Sequence, residues 1–162
     1  MLQGFGTDED ALISILCTRS NKEINDIKEV YKKNYDTTLE DDVKGDTSGD
    51  FEDLLVKLLQ GKRDESDEIN EDLAHKDAEA LIEAGIKKWG TDEDCFIEIF
   101  TTRSYPQLQA MFPEYSKWAK CDIEDTISSE MDGDLKDALL VLVKAIQSPT
   151  QMTADKLHSA LQ

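Results

Sequence analysis

With 162 residues, 33% of them charged and 39% hydrophobic, the chain is long enough to bury one compact core and suits a soluble helical protein. A formal net charge of −18 leaves no basic face for nucleic-acid phosphates and none for unaided binding to an anionic membrane, so any phosphate contact needs a cation between. Cys17, Cys95 and Cys121, odd in number and without CxxC spacing, speak against a disulfide framework or a zinc site and for a reducing, cytosolic setting.

No charged-then-apolar leader follows Met1, and the Gly4-x-Gly6 turn, which ordinarily follows a helix, has only three residues before it; the chain is expected to start inside a repeat. From Thr7 the pattern is helical: Thr7 caps, Asp8, Glu9 and Asp10 complement the positive helix end, and Leu12, Ile15 and Leu16 recur at helical spacing. Ser20-x-x-Glu23 reads as a capping box for a second helix with Ile24, Ile27, Tyr31 and Tyr35 on one face. Thr37-x-x-Glu40 opens a short third helix that should stop near Lys44-Gly45, leaving Asp46 in a turn with Thr47, Ser48 and Gly49. Phe51, Leu54, Leu55, Leu58 and Leu59 mark a fourth. The acidic stretch from Gly61 to Asp72 reads as an exposed linker, and a helix from about Leu73 to Ile86 follows it.

The same order then returns. Phe96, Ile99 and Phe100 stand where Leu12, Ile15 and Leu16 stood, and Ser104-x-x-Gln107 repeats the capping box. Pro113 should bend its helix near Met111 to Phe112. A short helix from about Ile123 ends at Glu130, and another carries Leu135, Leu139, Leu142 and Ile146. The longest apolar run, Ala138 to Val143, is far too short to cross a bilayer. After Pro149 a last helix begins, with Met152, Leu157 and Leu161 apolar.

Two copies of one unit explain this order. Gly6-Thr7-Asp8-Glu9-Asp10 recurs 84 residues later as Gly90-Thr91-Asp92-Glu93-Asp94, and the same shift carries Thr18-Arg19-Ser20 onto Thr102-Arg103-Ser104, Tyr31 onto Tyr115 and Asp46 onto Glu130. A glycine turn lets several carbonyls face outward from one small loop, and calcium accepts six to eight oxygens in irregular geometry. Three carbonyls and one bidentate carboxylate supply five, leaving positions for water or a phosphate oxygen. Such a site stays net positive and attracts phosphate, so calcium and anionic membrane would bind cooperatively, with calcium alone held weakly, on the order of 10⁻⁴–10⁻³ M. An EF-hand is excluded, because the position that needs glycine in a loop starting at Asp46 is Phe51.

The repeated Gly-Thr-Asp-Glu, the Thr-Arg-Ser that follows it, Gly45-Asp46-Thr47-Ser48-Gly49-Asp50 and Gly85-Ile86-Lys87-Lys88-Trp89-Gly90-Thr91 together resemble annexin repeats over nearly the whole chain. The resemblance implies an all-α fold of five-helix repeats, two copies packed side by side, in a fragment or truncated form. Residues 1–60 would be a second repeat lacking most of its first helix, 61–72 an acidic linker, 73–147 a complete third repeat, and 148–162 the first helix of another.

It implies a first calcium site from the carbonyls of Leu2, Gly4 and Gly6 with the Asp46 side chain, and a second from those of Gly85, Lys88 and Gly90 with Glu130. Weaker sites are implied near Glu9 and Glu93. Trp89 would enter the headgroup layer once calcium is bound. The implied function is non-enzymatic: calcium-dependent binding to anionic, phosphatidylserine-like phospholipid by a cytoplasmic protein that becomes peripheral on membranes when calcium rises. No nucleic-acid partner is expected, and exposed repeat surfaces invite self-association. The competing reading is an acidic helical scaffold for a protein partner, with vestigial calcium sites.

Overall fold

The computed structural model describes residues 6–86 and 89–162. Ten helices and no strands are present among them: α1 (Glu9–Leu16), α2 (Asn21–Tyr35), α3 (Leu39–Asp46), α4 (Gly49–Leu59), α5 (Glu71–Gly85), α6 (Glu93–Thr102), α7 (Tyr105–Ala119), α8 (Ile123–Glu130), α9 (Gly133–Gln147) and α10 (Pro149–Ala160). The 84-residue shift holds in space as well as in sequence. It maps α2 onto α7 and α3 onto α8 with identical bounds, and carries the left-handed residues Asp36 and Gly49 onto Lys120 and Gly133, which are also left-handed.

Four helices, α1, α4, α6 and α9, build the middle. Each copy contributes two, and they interleave: α4 packs on α6, and α1 packs on α9. Leu54, Leu55 and Leu59 of α4 and Phe96 and Phe100 of α6 are wholly buried there, with Leu139 and Leu142 of α9. In the second copy α5 lies along α7, covering Leu108 and Met111. Its last residue, Gly85, is buried where an added Cβ would come within 3.2 Å of both the Phe96 ring and the Thr126 methyl. Overpacking of this kind typically costs about 1–3 kcal/mol. Gly85→Ala is therefore expected to lower the urea midpoint by that equivalent, with an unchanged helical spectrum.

Several local expectations shift. Asp8, not Thr7, caps α1, accepting from Ala11 N at 3.0 Å. Thr38, not Thr37, caps α3, accepting from Asp41 N at 3.1 Å. Helix α3 runs on through Gly45 to include Asp46, which is its last residue rather than part of a turn. The first capping box is complete, but in the second only Ser104 takes its part. Gln107 instead clamps Asn70 at the start of α5, accepting from its backbone N at 2.8 Å and donating to its O at 2.9 Å. Helix α7 is unbroken through Pro113.

The linker is mostly exposed yet stitched at both ends. Asn21 holds the Arg63 backbone from both sides, at 2.7 and 3.1 Å, and Asp64 N donates to Thr102 O at 3.0 Å.

Candidate calcium face

The two acids singled out by the repeat sit at the C-terminal ends of short helices that the core holds in place. Val43 anchors α3 and Ile127 anchors α8, both buried. A tyrosine from the preceding helix pins each one: Tyr31 Oη donates to Asp42 Oδ2 at 2.7 Å, and at the equivalent position Tyr115 Oη shares a 2.7 Å hydrogen bond with Thr126 Oγ1. The bond to the Asp42 carboxylate pushes the Tyr31 phenol up to about 12, because ionising it would set two anions side by side.

A second repeated contact ties each acid to the turn ahead of α1 or α6 in its own copy. Thr7 Oγ1 donates to Asp46 O at 3.2 Å, and Thr91 Oγ1 donates to Glu130 O at 3.2 Å. Sequence reading had made Thr7 a cap and missed this role; its only signal is that both threonines obey the 84-residue shift. The backbone of the second turn is closed by Asp92 N donating to Ala84 O at 2.9 Å, and Gly90 has a φ of +79°, a conformation that favours glycine.

Asp46 and Glu130 are exposed, and neither carboxylate has a hydrogen bond or ion pair among the described residues. Other acids nearby are committed: Glu40 pairs with Lys44 at 2.6 Å, and Asp42 takes the tyrosine. Both free acids open into one depression of about 390 Å³, shared by the two copies and lined also by Glu9, Glu93, Asp50 and Asp134. The first turns of α1, α4, α6 and α9 all line it, so four positive helix ends converge on one face and offset part of its negative charge.

Carboxylates crowd along its flanks. Oxygens of Asp50, Asp53 and Asp94 lie within 4.8 Å of one another. In the equivalent group the Asp134 carboxyl is raised above its ordinary range, by partial desolvation first and then by Glu9, Asp137 and Asp10. Oxygen donors alone, with no histidine or thiol in the lining, match a hard cation of the calcium type rather than zinc.

Of the implied ligands, Gly6, Asp46, Gly85, Gly90 and Glu130 are described, while Leu2, Gly4 and Lys88 lie outside the described residues. Gly85 closes α5 and Gly90 sits in the turn before α6. Trp89 stands fully clear of the protein, at 103% of its reference exposure, and Ile86 is 46% exposed.

Paired copies, interleaved helices and a shared oxygen-lined face define an all-helical repeat protein with a candidate site for a hard cation. The family model described as "Annexin" matches residues 1–58 and 76–142, and the chain belongs to the annexin family. It is 47% identical to human annexin A13 and 46% identical to annexin A3 of Rattus norvegicus, in each case over 99% of this chain. It spans about half of these relatives, 51% and 50% of their lengths. Among solved structures, annexin III superposes with a TM-score of 0.96 at 44% identity, covering 99% of this chain and 50% of that one. Calcium-bound annexin (Sm)1 superposes with a TM-score of 0.85 at 26% identity, covering 98% and 49%.

Proposed function

We propose that this chain binds anionic phospholipid membranes in a calcium-dependent manner, through two equivalent sites completed by Asp46 and Glu130. The observation that carries the reading is the pair of unpartnered carboxylates opening on one face at positions related by the repeat. Family membership and the calcium-bound relative support it.

Each residue has a defined task. The Asp46 and Glu130 carboxylates supply the one full negative charge per site, and the carbonyls of Leu2, Gly4 and Gly6 in the first site and of Gly85, Lys88 and Gly90 in the second complete the protein's share. Thr7 and Thr91 hold turn and acid together. Calcium, when bound, supplies the positive charge that a phosphatidylserine-like headgroup needs in order to settle on an acidic protein. Trp89 and Ile86 then present apolar surface at headgroup depth.

The protein is read as a non-enzymatic binder, recruited from the cytoplasm as a peripheral membrane protein. No helix among the described residues is long and apolar enough to cross a membrane. The exposed Leu157 of α10 and Leu161 just after it offer surface for self-association, which sedimentation equilibrium checks.

The deciding experiment is sedimentation with phosphatidylserine vesicles, in calcium and then in EGTA, with tryptophan fluorescence followed in the same samples. Pelleting only in calcium is expected, with a fluorescence change that disappears in Trp89→Ala while Trp118, on α7, still emits. A folded chain that never pellets would overturn this reading in favour of the acidic scaffold.

A further inference from the structure

At the end of the bundle away from the acidic face, the seam between the copies opens into a cavity of about 340 Å³, with Arg19, Asn21, Arg63, Tyr105 and Pro106 in its lining. Helix α1 leads there from the calcium face over eight residues, or about 12 Å of helix. In a chain of net charge −18, this cavity is lined by two arginines that form no ion pair among the described residues, with Glu23, Asp64 and Glu65 on its rim.

Arg63 is fixed in place. Asn21 holds its backbone, its guanidinium lies over the Tyr105 ring at 5.1 Å from the centroid, and Nη1 donates to Arg103 O at 2.8 Å. The remaining guanidinium nitrogens make no hydrogen bond among the described residues. No buried polar side-chain atom among the described residues lacks a partner, so these nitrogens keep solvent exposure on a side chain that lines the cavity. Burial holds the Arg63 pKa below its ordinary value, as expected for a cation short of water.

Arg19, on the same rim, has no ion pair among the described residues, whereas its equivalent Arg103 is spent on Asp77. Two of the three rim carboxylates are turned to local tasks. Glu23 accepts from Ser20 N at 2.8 Å, and Asp64 accepts from Ser66 N at 2.9 Å. The third, Glu65, is exposed.

We infer that the cavity between Arg63, Arg19 and Tyr105 is an anion site for a phosphate monoester. Two planar guanidinium forks match the several oxygens of a phosphate better than the two of a carboxylate. The Tyr105 ring and Pro106 supply an apolar wall for the organic group. The volume is at the lower end of small-molecule sites. The site needs no calcium and is independent of the membrane reading.

The test is calorimetric titration of phenyl phosphate into the 162-residue chain in EGTA. Saturable binding is expected, weakened about tenfold by Arg63→Gln, as loss of a charge-assisted hydrogen bond implies. Arg19→Gln should weaken it less, and Glu130→Gln should leave it unchanged. No saturable binding by the parent, or parental binding by a folded Arg63→Gln, overturns the site. If Arg63→Gln fails to fold, Arg63→Lys and Arg19→Gln decide: parental affinity in both overturns it. Phosphatidic acid vesicles in EGTA, whose headgroup is itself a phosphate monoester, separate the sources of phosphate. Pelleting that Arg63→Gln abolishes assigns the site to a headgroup, and phenyl phosphate binding without pelleting assigns it to a soluble ester.

Discussion

Glu130→Ala is expected to raise the calcium needed for half-maximal vesicle binding at least about tenfold, the scale on which even supporting groups of a metal site act. Glu130 would be the only full charge among the protein ligands of its site, so removing it leaves carbonyl dipoles alone to face a divalent ion. The side chain is exposed and unpartnered, so the substitution should move stability by no more than about 0.5 kcal/mol. Asp46→Ala should do the same to a smaller degree. The second turn is closed between α5 and α6 by the Asp92 N to Ala84 O bond, which braces the frame on which Glu130 acts. Identical calcium midpoints for both variants and the parent would sink the assignment of the two acids.

The second large effect concerns stability. Arg103 meets Asp77 as a fork, Nε to Oδ2 at 2.7 Å and Nη2 to Oδ1 at 3.0 Å, joining the end of α6 to the middle of α5. The Asp77 side chain is only 7% exposed and that of Arg103 31%. Arg103→Ala strands a buried carboxylate and should cost about 3 kcal/mol, the lower end for a broken buried pair. That corresponds to roughly 6–12 °C in Tm for a chain of this size. Asp77→Ala should cost less, because the arginine left behind can turn to water. A larger loss in Asp77→Ala than in Arg103→Ala, measured by urea unfolding, would refute this account. The same guanidinium is held further in its charged form by the Asp77 bond.

Most of the architecture was legible because the sequence contains it twice. One unvarying 84-residue shift aligns helices, caps and the two acids, and apolar spacing assigns the buried faces. What escaped were choices between adjacent donors. Thr37 and Thr38 are equally good caps in isolation; Thr37 Oγ1 instead donates to Asp42 Oδ1 at 3.1 Å, a contact made only once α3 has folded. Gln107 sits at a capping-box position, but Asn70, 37 residues earlier, offers it two bonds rather than one. Gly45 reads as a helix stop, yet α3 continues one residue past it to Asp46, with Thr47 N donating to Val43 O at 2.9 Å. The acids themselves were visible from the repeat, whereas their freedom from partners was not, since lysines are never far in sequence from either.

The interleaving of α1 with α9 and of α4 with α6 makes the pair of copies, rather than each copy, the folding unit. Neither half owns a complete interior: parting them would uncover Leu54, Leu55, Phe96 and Phe100 together. The chain should therefore melt in one cooperative transition with no half-unfolded species. An ion held at Glu130 would, by mass action, protect the copy that carries Asp46 as well.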